Sequence, residues 1–70
     1  MNRLEAFSLI AKACDDRGFT FLDVLPFFKG VAPSQVQIYL EKAYALGFIT
    51  THPVNTLCMY PTQKLRNLAS

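Results

Sequence analysis

Apolar residues recur along the first part of the chain at the spacing of an α-helix. The positions that share one helical face between about Asn2 and Arg17 are Leu4, Phe7, Ile10, Ala11 and Cys14. The opposite face carries the charged residues Glu5, Lys12 and Asp16. This pattern predicts an amphipathic helix with Leu9 on its charged side, and Gly18 is expected to stop it.

The stretch TFLDVLPFFKG predicts a second and shorter helix. Thr20 is the expected N-cap, and Asp23 completes a capping box with it. Pro26 removes a backbone hydrogen bond and clashes with the preceding turn, so we expect the helix to be short, kinked or restarted there. The expected inward positions are Phe21, Val24, Leu25 and Phe28. Leu22 and Phe27 point away from these and are expected to be partly exposed.

A third helix is predicted to begin after Ala32, with Pro33 at its first position, where the missing N–H costs nothing. Its buried seam is expected to consist of Val36, Leu40, Ala43 and Gly47. The flanking positions are Tyr39, Tyr44 and Leu46. The arc expected to face away from the core carries Ser34, Gln35, Gln37, Ile38, Glu41, Lys42 and Ala45.

The stretch FITTHPVNTLCMYPT predicts a β-hairpin that turns at Asn55–Thr56. Pro53 and Pro61 confine its strands to edges or strand ends. Thr62 is expected to cap a last helical turn, QKLRNLAS. The inward positions of that turn are Leu65 and Leu68. The order of elements predicts one α+β domain over residues 1–70.

Helix, short helix, turn, helix, hairpin and final helix is an order that resembles a winged helix-turn-helix. The stretch GVAPSQVQIYLEKAYALGFI is similar to the bacterial pattern in which a Gly-Val turn opens the recognition helix. The matching positions are Gly30, Val31, Ser34, Val36, Leu40, Leu46, Gly47, Phe48 and Ile49. MYPTQKLRNL looks like the segment after the wing in MarR- and PadR-type proteins, with Thr62 at the capping position. The resemblance covers roughly residues 19–68.

The resemblance implies DNA contacts from the exposed N-terminal half of helix three and from the hairpin wing. Carried over by position, the DNA-binding residues are Ser34, Gln35, Gln37, Ile38 and Lys42 in the helix, and His52, Asn55 and Thr56 in the wing. Lys29 and Arg17 are expected to add backbone contacts. A glutamine amide can bond an adenine edge bidentately, and a helix N-terminus favours phosphate. The expected function is therefore a small transcriptional regulator of bacteria or phages that binds double-stranded DNA.

Several residues depart from that pattern. Ile38 stands where such proteins often carry arginine, Glu41 adds negative charge, and the wing has no Arg or Lys between Thr50 and Gln63. Because phosphate contacts supply most of the affinity, a monomer is expected to bind weakly and to act as a homodimer or beside a protein partner. The candidate dimer surfaces are Leu9 of the first helix, or Leu65 and Leu68 of the last one.

The alternative interpretation is a winged helix used for protein–protein interaction without DNA binding. Its contact patch is expected to comprise Ile38, Ala45, Tyr39, Phe27 and Leu22. The apolar character of this arc, set against its few cations, supports the alternative. Composition leaves both functions open, because the net charge of +2 is compatible with nucleic acid but far below that of a dense basic patch.

Composition and motif content exclude several other classes. With 51% hydrophobic and 17% charged residues, the chain has ample apolar surface to fold. Its apolar runs, such as FLDVLPFF, are too short to span a bilayer, so no membrane partner and a cytoplasmic setting are expected. Cys14 and Cys58 lack metal-ligand spacing and are expected to be buried thiols, with no metal or cofactor. No acid–base pair or nucleophile set indicates an enzyme.

Overall fold

The computed structural model describes residues 2–69, and the ends of the predicted domain, Met1 and Ser70, lie outside them. Within that range the chain has a mixed α+β fold of four α-helices and an antiparallel hairpin. The elements in chain order are α1 (Arg3–Ala13), α2 (Phe21–Val24), a 3-10 turn (Leu25–Phe27), α3 (Pro33–Ala45), β1 (Ile49–Thr51), β2 (Met59–Pro61) and α4 (Gln63–Ala69).

Helix α1 is shorter than its apolar pattern predicts. Asn2 caps it, because its Oδ1 accepts a hydrogen bond from the Glu5 N–H at 2.8 Å. The helix ends at Ala13 rather than near Arg17, since Cys14 adopts an extended backbone with φ −71° and ψ 154°. A separate turn follows, closed by the Gly18 N–H donating to the Asp15 carbonyl at 2.9 Å. Gly18 therefore ends this turn rather than the helix.

The second helix stops where proline was expected to interrupt it. The Asp23 carboxylate accepts the Thr20 N–H at 2.9 Å, as half of a capping box does. The α-helix then lasts only to Val24, and Pro26 lies inside the 3-10 turn that follows. Val24 and Phe28 are buried as predicted, whereas Phe21 and Leu25 are only partly buried against the core. The apolar side chains Leu22 and Phe27 are exposed, as expected.

Helix α3 follows the predicted boundaries and ends in a Schellman motif. The Phe48 N–H donates to the Ala43 carbonyl at 2.9 Å, and the Gly47 N–H donates to the Tyr44 carbonyl at 3.1 Å. Gly47 has φ +83°, a left-handed conformation that other residues adopt only at a cost. It is exposed and lies outside the helix, so its predicted place in the buried seam was wrong. The rest of the seam, Val36, Leu40 and Ala43, is buried.

The hairpin is anchored to the helices by a contact that the sequence pattern did not indicate. Phe19 and Met59 exchange two backbone hydrogen bonds of 2.8 Å, which join the segment before α2 to strand β2. The hairpin loop spans residues 52–58, and its tight turn is closed by the Cys58 N–H donating to the Asn55 carbonyl at 3.0 Å. Thr56 and Leu57 are the central residues of that turn, one position later than predicted.

Helix α4 is tied back to the end of α3 by Thr62. Its hydroxyl lies 2.6 Å from the Gly47 carbonyl oxygen and 2.8 Å from the Phe48 carbonyl oxygen. Its own carbonyl accepts the N–H groups of Leu65 and Arg66, so the backbone of Thr62 begins the helix while its side chain holds the α3–β1 corner. Leu65 is fully buried, and Leu68 packs against the core as predicted.

The core lies where α1, α3, the hairpin and α4 meet. Its buried members are Ala6, Phe7, Ile10, Phe19, Val24, Phe28, Val36, Tyr39, Leu40, Ala43, Ile49, Met59 and Leu65. Leu4 was expected inside this core and is 61% exposed. Leu9 was expected on the charged side and instead packs against the core. Helix α1 contacts both α3 and α4, so its buried face is turned from Leu4 towards Leu9.

Helices in the described range are all too short or too polar to cross a bilayer.

Candidate nucleic-acid interface

The outward arc of α3 is exposed along its whole length, as its sequence pattern predicts. The exposed residues are Ser34, Gln35, Gln37, Ile38, Glu41, Lys42 and Ala45. Within residues 2–69, the polar side chains of this arc make no hydrogen bond or ion pair. The arc therefore presents two glutamine amides and a lysine ammonium that are available to a ligand.

The N-terminus of α3 lacks the usual side-chain cap. Ala32 occupies the N-cap position with φ −62° and ψ 140°, and it offers no oxygen to the first turn. Pro33 has no N–H, and within the described chain the Ser34 N–H has no acceptor. The first turn also contains no acidic residue. The positive end of the helix dipole thus faces solvent uncompensated, which favours an anion such as phosphate.

The hairpin loop uses two of the predicted wing residues to hold its own shape. The Nδ1 atom of His52 accepts the N–H groups of Val54 and Asn55, each at 3.1 Å. The Oδ1 atom of Asn55 accepts the Leu57 N–H at 3.2 Å. Because Nδ1 of His52 accepts both hydrogen bonds, Nε2 is the ring nitrogen that is left to donate to a ligand.

A groove of about 210 Å³ runs between α3 and the hairpin. Its rim and floor are formed by Gln37, Leu40, Glu41, Tyr44, Ile49, Thr51, Thr56 and Met59. Of the predicted DNA contacts it brings together Gln37 and Thr56, one from each element. Tyr44 and Thr51 also line the groove, although the sequence pattern did not indicate it. Their place there depends on how α3 and β1 face each other, which the pattern within each element does not record.

Only a few Lys and Arg side chains near α3 and the hairpin are available to bind a ligand. Lys29 and Lys42 are exposed and, within the described range, form no ion pair. Arg17 lies 3.9 Å from Asp15, with its side chain 94% exposed. Two further cations have partners within the protein: Arg66 contacts Asp16 at 2.7 Å, and the Lys64 Nζ donates to the Leu46 carbonyl at 2.7 Å.

The predicted protein-contact patch is only partly present. Leu22, Phe27 and Ile38 are 73%, 44% and 42% exposed, in agreement with that interpretation. Tyr39 is only 8% exposed and packs its ring on Phe28 with the centroids 6.3 Å apart, so its place in the patch was wrong. The predicted dimer surfaces are also occupied, because Leu65 is fully buried and Leu9 and Leu68 pack on the core.

Both cysteines are free and half-buried. Burial, with Asp16 nearby, raises the pKa of the Cys14 thiol, whose Sγ donates to the Ala11 carbonyl at 3.0 Å. A hydrogen bond with Cys58 raises the pKa of the Tyr60 hydroxyl. The Cys14 thiol and the Tyr60 hydroxyl therefore stay protonated at neutral pH. Residues 2–69 also bring together no cluster of His, Cys, Asp and Glu that could hold a metal ion.

Comparison of the sequence with protein-family models and with curated proteins, and of the structure with solved structures, finds no match in any of the three.

Proposed function

We propose that this chain is a winged helix-turn-helix domain that binds double-stranded DNA and acts as a small transcriptional regulator. The observation that carries the proposal is the outward arc of α3, whose glutamines and lysine are exposed and unpartnered within the described chain. A helix with such a face fits the major groove, which admits one α-helix and displays hydrogen-bonding groups on its base edges.

In this arrangement the N-terminal half of α3 enters the major groove first. Gln35 and Gln37 bond base edges, with adenine as the preferred partner of each amide. The uncapped N-terminus at Ala32–Ser34 and the ammonium of Lys29 bind flanking phosphates. Ile38 contacts a thymine methyl, which is the apolar feature of the groove. Lys42 contacts the backbone further along the helix.

The hairpin acts as the wing. Support for this role comes from its attachment, because the Phe19–Met59 bridge joins β2 to the segment before α2, and the Thr62 hydroxyl joins the end of β2 to the corner that follows α3. Its loop is preorganised by the two hydrogen bonds to His52 Nδ1, so little loop entropy is lost on binding. Thr56 and the Nε2–H of His52 supply its contacts to the sugar–phosphate backbone.

An amide titration of the ¹⁵N-labelled protein with a random-sequence duplex, at about 20 and about 150 mM salt, tests the proposal. Salt-sensitive shifts at residues 34–42 and 52–56 are expected. The absence of shifts at low salt would reject it, because even non-specific binding is strong there.

Glutamine variants then test base recognition on a duplex selected in vitro for binding. Gln35→Ala and Gln37→Ala are each expected to weaken binding to that duplex by about 10- to 100-fold, the worth of a bidentate base contact. Gln63→Ala is the matched control, because Gln63 is exposed on α4 and bonds Asn67 instead. Equal losses in all three variants would show that the α3 glutamines read no bases.

A further inference from the structure

The groove between α3 and the hairpin carries a charge that does not suit DNA. Glu41 is the one charged residue among those that line it, and none of them is cationic. Within residues 2–69 the Glu41 carboxylate has no ion pair or hydrogen bond. A phosphate placed here would meet like charge, whereas a cation would meet a carboxylate of opposite charge.

The shape of the groove suits one long side chain. Leu40, Ile49 and Met59 are buried and form an apolar floor, while Tyr44 is 54% exposed and forms a wall. The volume of about 210 Å³ lies below the roughly 300–1,000 Å³ typical of small-molecule sites. An occupant therefore combines an apolar stem with a cationic end, which is the chemistry of arginine and lysine.

We propose that this groove binds an arginine side chain presented by a protein partner. The methylene stem lies on the apolar floor, and the guanidinium pairs with Glu41 against the ring of Tyr44. Guanidinium is favoured over ammonium because it stacks on aromatic faces and bonds carboxylates with two parallel N–H groups. Its remaining N–H groups donate to the hydroxyl oxygens of Thr51 and Thr56 at the rim.

A protein partner bound in this groove regulates the proposed DNA binding. Gln37 and Thr56 belong both to this groove and to the proposed DNA interface. A partner seated on the groove covers them, so the partner and DNA compete for the domain. Binding of the arginine does not itself depend on whether the protein binds DNA, and the two can be measured separately.

The test is an NMR titration, without DNA, using the peptide acetyl-Gly-Leu-Arg-Leu-Gly-amide. Its controls replace arginine with citrulline, which has nearly the same shape but no charge, and with lysine. Because a single side chain supplies the affinity, the titration runs to about 20 mM peptide. The expected result is shifts of the Glu41, Tyr44 and Thr51 amides and of the Ile49 and Met59 methyl groups, strongest with arginine and least with citrulline.

Two charge-matched variants complete the test. Glu41→Gln is expected to lower the affinity for the arginine peptide about two- to fivefold, as loss of an exposed ion pair does. Glu5→Gln changes the net charge equally at an exposed position of α1 and is expected to leave that affinity unchanged. The proposal is overturned if arginine and citrulline peptides shift the same amides equally, if the shifts map elsewhere, if none appear, or if Glu41→Gln binds as well as Glu5→Gln.

The same variants separate this inference from the proposed function. Removing the negative charge of Glu41 is expected to strengthen binding of duplex DNA by about two- to fivefold while it weakens binding of the arginine peptide. Failure of DNA binding with peptide binding intact rejects the regulator and leaves the arginine site standing. Failure of peptide binding alone rejects the arginine site and leaves the DNA proposal standing.

Discussion

Thr62 contributes to stability through one hydroxyl placed at a corner of the fold. Its Oγ1 lies within hydrogen-bonding distance of the Gly47 and Phe48 carbonyl oxygens, 2.6 and 2.8 Å away, and the residue is half-buried. These carbonyls belong to the segment in which α3 ends and β1 begins. The hydroxyl therefore fixes the direction in which the hairpin leaves α3, on which the geometry of the groove depends.

Thr62→Val keeps the shape of the side chain and removes the hydroxyl. We expect it to lower the free energy of unfolding by about 1 kcal/mol, because the hydrogen bond of the hydroxyl is lost while the Phe48 carbonyl keeps the Thr62 N–H as a donor at 3.0 Å. Urea denaturation followed by circular dichroism measures the change. Thr50→Val is the matched control, since Thr50 is exposed on β1 and is expected to change stability by less than about 0.5 kcal/mol. Equal effects of the two substitutions would contradict a role for the Thr62 hydroxyl.

Among the elements, α3 combines a well-formed C-terminus with an N-terminus that lacks a cap. Its end has the Schellman hydrogen bonds and the Lys64 ammonium on the Leu46 carbonyl. Its start has Ala32, which supplies no side-chain oxygen. A capping side chain there would add about 0.5–2 kcal/mol to the free energy of unfolding. The native alanine lacks this stabilisation at the helix end where a phosphate is proposed to bind.

Ala32→Ser is expected to raise the free energy of unfolding by about 1 kcal/mol by capping the first turn. Ala32→Asp is expected to stabilise the fold similarly but to weaken DNA binding, because its carboxylate occupies the phosphate position and repels it. Ala45→Ser is the control, because it makes the same alanine-to-serine change at the C-terminal end of α3. There the lower helix propensity of serine is expected to lower the free energy of unfolding by about 0.5 kcal/mol. DNA binding by Ala32→Asp as tight as by Ala32→Ser would show that no phosphate sits at this helix end.

The sequence predicted elements with strong local signals and missed those that depend on contacts between elements. Pro33 marked the start of α3, and Pro26 marked the end of α2, because proline acts on the backbone of its own segment. The Phe19–Met59 bridge pairs a single residue before α2 with strand β2, so the sequence around Phe19 shows no alternating strand pattern that could predict it. The exposure of Leu4 likewise follows from how α1 lies on α4, which no pattern within α1 records.

The same distinction applies to the candidate site. Exposure of the α3 arc followed from its own periodicity and is confirmed. The groove formed by Glu41, Tyr44 and Thr51 requires the angle between α3 and the hairpin, which local sequence does not specify. The inward use of His52 Nδ1 was also invisible, since a loop hydrogen bond leaves no compositional signal.

Few of the cations of the molecule lie on or next to α3. The chain has seven Lys and Arg against five Asp and Glu. Arg66 and Lys64 are engaged in holding α4 to its neighbours. Lys29 and Lys42 remain beside α3 and, within residues 2–69, pair with no acid. A monomer thus offers about two strong phosphate contacts, and its affinity for DNA depends on them directly.

The salt dependence of DNA binding should report the number of phosphate contacts that the protein makes. For a monomer we expect the logarithm of the binding constant to fall against the logarithm of salt concentration with a slope of about −2, since each neutralised phosphate adds about −0.9. Lys29→Ala and Lys42→Ala should each reduce the slope by about one. Lys12→Ala, which removes an exposed charge from α1, should leave it unchanged. Fluorescence anisotropy of a labelled duplex across a salt series measures all four proteins. A slope near −4 would instead indicate two copies on one duplex, and a slope unaffected by either lysine would place the DNA on another face.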